Sequence, residues 1–295
     1  MKTGQKVIAF VVGLAAVFAI SVWIGNAVTP QEATTVAAPD LPGGLQTTQD
    51  GYTLALDDSI ATANPDVPLK FQILSATGAP VKRYVEKHDE LLHLIVVRND
   101  LAVFQHVHPK LDEQGTWSVP LDLSRAGDYR VFADFMPSGG PALTLGANLH
   151  VAGKYDPQPL PPAAQTAEVD DYTVTLRGTP KANDPSMLTL SVSRDGKPVD
   201  DLQPYLGAYG HLVAVRAPDL AYLHVHPMND PDGGTAASGP EIGFHTTFPS
   251  TGSYRLFLDF QHRDAVRTAA FTVNVTDAAS TTAPAPSGDG GGHQH

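Results

Sequence analysis

HLIVVRNDLAVFQHVHP, residues 93–109, returns as HLVAVRAPDLAYLHVHP at residues 211–227, with eight of seventeen positions identical. The shared positions include His93 and His211, Arg98 and Arg216, and the whole His-Val-His-Pro ending, so the chain is internally duplicated. Each copy is a β-branched apolar run, a polar turn (Asn99–Ala102 or Ala217–Leu220) and a second short run closed by proline, which is the pattern of a β-hairpin. If Arg98 closes on Val103, then Val97 faces Phe104, Ile95 faces His106 and His93 faces His108. The second copy sets His211 opposite His226 in the same way. Side chains alternate faces along a strand, so the two histidines of each His-x-His share a face with the upstream histidine. The expected metal ligands are therefore His93, His106 and His108 in the first copy and His211, His224 and His226 in the second. Directly opposed Cβ atoms lie roughly 4.5–5.5 Å apart, close enough for ring nitrogens to converge on one ion at about 2.0–2.1 Å. A turn with an odd number of residues would send one strand's histidines to the other face.

The same residues also have a structural reading. His93 sits in LLHLIVV, a run apolar on both faces, where a hydrogen-bonded core histidine is common. The His-x-His pairs are then an exposed strand face, and Pro109 and Pro227 are strand terminators.

At 295 residues the chain suits two domains of about 100 residues with an anchor and linkers. Nineteen Lys and Arg against 31 Asp and Glu give a net charge of −12, which argues against nucleic acid and anionic lipid surfaces as partners and favours cations nearby. The absence of cysteine rules out blue copper, thiolate zinc sites, a disulfide framework and a lipobox. Twelve histidines are the chain's most unusual resource.

Residues 1–6 carry Lys2 and Lys6 and precede Val7–Val28, an uncharged, largely apolar run long enough to span a bilayer. It predicts an uncleaved single-pass anchor at 7–28 with a cytoplasmic N-terminus and an extracytoplasmic bulk. Small-residue sites at Gly25-Asn26-Ala27 and Val36-Ala37-Ala38 leave open secretion after signal cleavage. Residues 29–50 read as a flexible stalk, 51–152 as a first β-sandwich, 153–170 as a Pro-rich spacer, 171–275 as a second β-sandwich, and 276–295 as a disordered tail ending in His293 and His295.

The strand signals recur at sandwich spacing: YTLAL at Tyr52, PLKFQIL at Pro68, TWSVPLDL at Thr116, DYRVFADF at Asp128 and ALTLGANLHV at Ala142. YTVTL at Tyr172, MLTLSVS at Met187, IGFHTTF at Ile242, SYRLFLDF at Ser253 and AAFTVNV at Ala269 repeat the order. The fold class is thus all-β: two tandem immunoglobulin- or cupredoxin-like antiparallel sandwiches after an N-terminal transmembrane helix. Tyr129 and Tyr254 stand where such sandwiches place a tyrosine corner. Asp134 and Asp259 recur with Arg98 and Arg216, and an Arg–Asp ion pair is expected of them ahead of metal ligation.

His88, His150, His245 and His262 have no histidine at the matching position of the other copy and read as surface or local structural residues, with His245 as an optional extra ligand. Imidazoles without thiolate suit Cu(II), Zn(II) or Ni(II), and the general affinity order favours copper. No catalytic triad, nucleophile elbow, phosphate-cradling loop or repeated carboxylate pair is present, so no enzyme is expected.

Tyr205-Leu206-Gly207-Ala208 leading to Gly210-His211-Leu212-Val213, then Leu223-His224-Val225-His226-Pro227 and Phe257-Leu258-Asp259-Phe260, resembles exported bacterial proteins, frequent in actinobacteria, described as heavy-metal-associated or YtkA-like. The first half matches more loosely, because Tyr84–Leu92 replaces the Tyr-Leu-Gly-Ala turn. The resemblance implies a β-sandwich and a link to copper or heavy-metal handling. The resulting expectation is a membrane-anchored extracytoplasmic protein that buffers or transfers copper, with zinc as the alternative ion, and that meets a metal-transport or other envelope protein. The contrasting expectation is a non-catalytic immunoglobulin-like scaffold with structural histidines.

Overall fold

A computed structural model describes residues 42–228 and 237–277. The predicted anchor, most of the predicted stalk, residues 229–236 and the predicted tail beyond Asp277 lie outside them. No helix among the described residues is long and apolar enough to cross a membrane.

The described residues form strands throughout. The first half contains β1 (Thr48–Gln49), β2 (Tyr52–Leu56), β3 (Ile60–Thr62), β4 (Val67–Leu74), β5 (Leu92–Arg98), β6 (Phe104–Val107), β7 (Lys110–Leu111), β8 (Thr116–Leu121), β9 (Gly127–Phe135) and β10 (Leu143–Ala152). The second contains β11 (Thr166–Val169), β12 (Tyr172–Arg177), β13 (Lys181–Ala182), β14 (Pro185–Arg194), β15 (Lys197–Pro198), β16 (His211–Arg216), β17 (Tyr222–Pro227), β18 (Glu241–Thr247), β19 (Gly252–His262) and β20 (Ala265–Asp277).

In the first half two five-stranded sheets, β1-β2-β4-β8-β7 and β3-β10-β9-β5-β6, enclose a core that includes Phe71, Trp117, Leu94, Val96, Tyr129 and Val131. The second half has the same layers, but β17 continues far enough to pair with β18, so its strands form one continuous sheet folded over the core. These are tandem immunoglobulin-like β-sandwiches. Each carries the tyrosine corner: Tyr129 Oη donates to the Arg125 carbonyl at 2.5 Å and Tyr254 Oη to the Ser250 carbonyl at 3.1 Å.

The hairpins have the even register. Val97 faces Phe104 and Ile95 faces His106 in the first, and Val215 faces Tyr222 and Val213 faces His224 in the second. The closing bonds run from Arg98 N–H to the Val103 carbonyl and from Arg216 N–H to the Ala221 carbonyl. Each turn holds one leucine in the left-handed region, Leu101 at φ 58° and Leu220 at φ 60°. That conformation costs a non-glycine residue about 1–2 kcal/mol. Both leucines are buried between the two halves, and burying one contributes roughly 1.5–3 kcal/mol, enough to offset the strain.

This junction explains why β5 is buried at every position. Leu94 and Val96 face the first sandwich's own core, whereas Ile95 and Val97 face Val213, Val215 and Tyr222 of the second. Phe104 stacks on Phe257 with centroids 4.0 Å apart, and Phe132 meets Tyr222 at 5.3 Å. The hairpin sheets of the two halves are therefore packed face to face, which brings their histidine-bearing ends together.

Two stretches expected to connect the sandwiches rather than join them, the end of the flexible stalk and the Pro-rich spacer, are pinned. Residues 42–50 were assigned to a flexible stalk, but β1 pairs with β2 and the Gly43 carbonyl accepts from Tyr222 N–H at 2.9 Å. Arg130 donates to the carbonyls of Gly44 and Leu45. A Cβ at Gly44 would lie 2.3 Å from the Phe132 ring, so only glycine lets this strap lie flat on the junction. In the spacer, Arg98 donates to the Asp156 carbonyl, Gln158 N–H donates to Asp100, Leu160 packs into the junction, and β11 is the first strand of the second sandwich.

Candidate metal centre

β5 delivers His93, and β6 with the residue beyond its end delivers His106 and His108. The register puts the three on one face, and their rings converge. His93 Nδ1 lies 3.1 Å from His106 Nε2 and 3.2 Å from His108 Nε2. One ligand atom from each of the three lies within 4.8 Å of the others. Two nitrogens bound to one tetrahedral ion at about 2.05 Å are separated by roughly 3.3 Å, close to these spacings.

The outer nitrogens determine how the inner ones face. His93 Nε2–H donates to the Lys87 carbonyl at 3.1 Å, which leaves Nδ1 as a lone pair in the neutral ring. His106 Nδ1–H donates to Asp259 Oδ2 at 2.8 Å, so Nε2 points inward. Asp259 comes from the second sandwich, is 3% exposed, and accepts from Thr268 Oγ1 through its other oxygen at 2.5 Å. An imidazole whose far N–H is held by a backbone carbonyl or a carboxylate is the usual second shell of a metal ligand. His93 Nδ1 is then an acceptor aimed at two further ring nitrogens. A proton or a metal ion has to sit among them.

Burial pushes His93 down to about 4 and His108 to about 3, with the neighbouring His106 adding to both shifts. Neutral rings of this kind are ready to ligate without first losing a proton. Glu90 Oε1 stands 3.9 Å from His108 Nδ1.

His211 occupies the matching place in the second half: its Nε2–H donates to the Tyr205 carbonyl at 2.7 Å, and burial lowers it to about 4. Its ring centroid is 6.3 Å from His106 and 6.5 Å from His93. The backbone of His224 pairs with Val213 and that of His226 with His245. The side chains of His224 and His226 lie outside those described, so ligand geometry is available for His93, His106 and His108.

Sequence reasoning missed two participants. His88, read as a surface or local structural residue, faces His93 at 6.2 Å and His211 at 5.5 Å between centroids. It lines both a small cavity of about 20 Å³ shared with His93, His106 and His211 and a larger one of about 170 Å³ beside Glu90, Asp134 and Met136. Asp259 was expected to pair with arginine. The strand register rules that pairing out: His211 is opposite Asp259 and Arg216 is opposite Tyr254, at the other end of the pair. In the first half His93 is likewise opposite Asp134, and Arg98 is opposite Tyr129. Arg98 instead forms a two-pronged pair with Asp100, and Arg216 pairs with Asp219. Alternation along β9 puts Tyr129 on one face and Phe132 and Asp134 on the other, and the β5–β9 register sets Arg98 with Tyr129.

The remaining histidines divide cleanly. His262 is buried between Tyr172 Oη at 2.7 Å and Asp201 at 3.0 Å, and His150 pairs with Asp128 at 2.6 Å. His245 is exposed on β18.

A two-sandwich chain with paired histidine hairpins is thus defined by fold and site together. Residues 46–153 and 167–277 each match the family model described as Domain of unknown function (DUF8832), and the chain belongs to that family. No curated protein matches it. Among solved structures, the Escherichia coli adhesin FdeC is 16% identical with a TM-score of 0.26, over 77% of this chain and 65% of that one. InvD of Yersinia pseudotuberculosis is 14% identical with a TM-score of 0.26, over 81% and 61%. The D0-D1 domain of Intimin is 13% identical with a TM-score of 0.22, over 76% and 97%. The chain thus spans less than two thirds of the first two structures it resembles.

Proposed function

We propose that this protein binds a transition-metal ion, copper in the first instance and zinc as the alternative, through His93, His106 and His108, and that it buffers or passes on the ion without turnover. The observation that carries the reading is His93 Nδ1 standing 3.1 and 3.2 Å from Nε2 of His106 and His108, with the outer nitrogens of His93 and His106 held by a carbonyl and a carboxylate. An all-nitrogen set suits Cu(II) and Zn(II) better than Cu(I). By internal repeat, His211, His224 and His226 form the second set. On this reading the apolar run Val7–Val28 anchors the protein in the membrane with both sandwiches outside the cytoplasm, and the resemblance to exported heavy-metal-associated proteins supports it. Loading from, or delivery to, an envelope metal-transport protein completes the proposal.

Calorimetric titration of the folded protein with Cu(II) and Zn(II) at neutral pH tests this. Uptake that His106→Ala reduces by one equivalent supports the reading. A folded protein that takes up neither ion defeats it and leaves a scaffold with structural histidines. The alanine variant's thermal unfolding, measured alongside, separates lost ligation from lost folding.

A further inference from the structure

Met187 is 58% exposed and Met228 is 51% exposed. Methionine is a residue of cores and binding surfaces, so two exposed on one face invite an explanation other than packing. Both lie around His245 on the outer face of the second sandwich. Met187 on β14 is directly paired with His245 on β18. Each is an exposed position whose strand neighbours, Ser186 and Leu188 or Phe244 and Thr246, are buried. Their side chains therefore leave the same face, with Cβ atoms roughly 4.5–5.5 Å apart. Met228, the residue after the end of β17, approaches from the other side of β18. Its N–H donates to the Gly243 carbonyl at 2.8 Å, and its sulfur lies 3.6 Å from where a Cβ on Gly243 would be. Gly243 and His245 are successive outward positions of β18, about 7 Å apart. The Met228 thioether thus lies against β18 at position 243, one outward position from His245.

We propose that Met187, Met228 and His245 form a surface site for a soft monovalent cation of the Cu(I) or Ag(I) class. Two thioethers with one imidazole select such ions, whereas thioether sulfur gives little to Zn(II) or to hard cations. Methionine's three rotatable bonds let both sulfurs close on an ion that arrives from solvent. The site differs from the His93, His106 and His108 triplet in donor chemistry and in place: it lies on the outer face of the second sandwich, none of its residues belongs to that triplet, and its nearest neighbour in the second histidine set is His226, whose backbone pairs with His245. It stands whether or not that triplet holds a metal.

Silver(I), which does not change oxidation state on binding, is the probe. In the full chain carrying ¹³C-methyl methionine, titration with Ag(I) moves the Met187 and Met228 methyl resonances together and saturates at one equivalent. Met187→Leu with Met228→Leu, which keeps the side-chain volume, weakens the site at least tenfold with an unchanged Tm, and His245→Gln weakens it similarly. His106→Ala leaves the methyl shifts in place while removing Cu(II) from the buried triplet, which keeps the two readings apart. Methyl resonances that stay still, silver that moves only Met136, or a Met228 response that Met187→Leu does not alter would each overturn the proposal.

Discussion

The two halves place the same histidine at the head of the same hairpin and then surround it with different chemistry. His93 and His211 each give their Nε2–H to a backbone carbonyl, of Lys87 and of Tyr205. The turns that present those carbonyls have the same shape from unlike sequences: His88 and Asp89 lie at φ 50° and 60°, Leu206 and Gly207 at 53° and 69°. The backbone bond to the histidine is what the turn must supply, so the side chains at its tip are free to differ. In the first half they are Lys87, His88, Asp89 and Glu90, and in the second Tyr205, Leu206, Gly207 and Ala208. The first half's turn thereby supplies an imidazole, His88, that stands against both His93 and His211, and a carboxylate, Glu90, beside His108. The halves also differ at Arg98 and Arg216, whose side chains are 1% and 19% exposed.

That last contrast gives the largest expected effect on stability. Arg98→Ala leaves Asp100 near the junction without its partner and removes the bond to the Asp156 carbonyl, and should cost about 3 kcal/mol. Arg216→Ala acts on a more exposed pair and should cost about 1 kcal/mol or less. Urea unfolding of the two variants reads the difference, and equal losses would break the comparison.

The dependence of one half on the other comes next. Asp259→Asn keeps the shape of the side chain but offers His106 a weaker, ambiguous partner. It should weaken Cu(II) or Zn(II) at the first centre by about 10–100-fold, the usual effect of removing such a support. Competition titration against a chelator of known affinity measures it. Unchanged affinity would mean that each half binds on its own.

Acid should act on both halves together. Histidines of the unfolded chain titrate near 6.5, while burial holds His93 and His211 at about 4 and His108 at about 3. Between those values the unfolded chain binds more protons than the folded one, so stability falls as pH drops. Tm of the metal-free protein should be level above about pH 7 and decline from about 6.5 towards 4. His211→Phe should flatten part of that decline. The smallest change is expected from Glu90→Gln, a few-fold loss of metal affinity at most, because the carboxylate stands 3.9 Å from His108 rather than in contact.

Much of this was legible in the chain itself. An even turn, two-residue alternation and one proline per hairpin were enough to bring His93, His106 and His108 to one face. Tyr129 and Tyr254 announced their corners by position. The docking of the halves was present only as an unexplained excess: LLHLIVV is apolar on both faces because both are covered, one by its own core and the other by the sister sandwich. Without that contact in view, Asp259 could not be linked to His106, which lies 153 residues earlier. His88 escaped notice because comparison of the repeats sets it against Leu206, and what the two positions share is a backbone angle. The strap at residues 43–46 escaped for a related reason, since its composition is that of a linker and its order comes from the glycines that fit the junction.

Anomalous diffraction from crystals of the copper- or zinc-loaded protein tests the central claim most directly. The account predicts an ion about 2.0–2.1 Å from Nδ1 of His93 and from Nε2 of His106 and His108, with Asp259 still bonded to Nδ1 of His106. An anomalous peak confined to His293 and His295, or a fully loaded protein with no peak among these three rings, would contradict it.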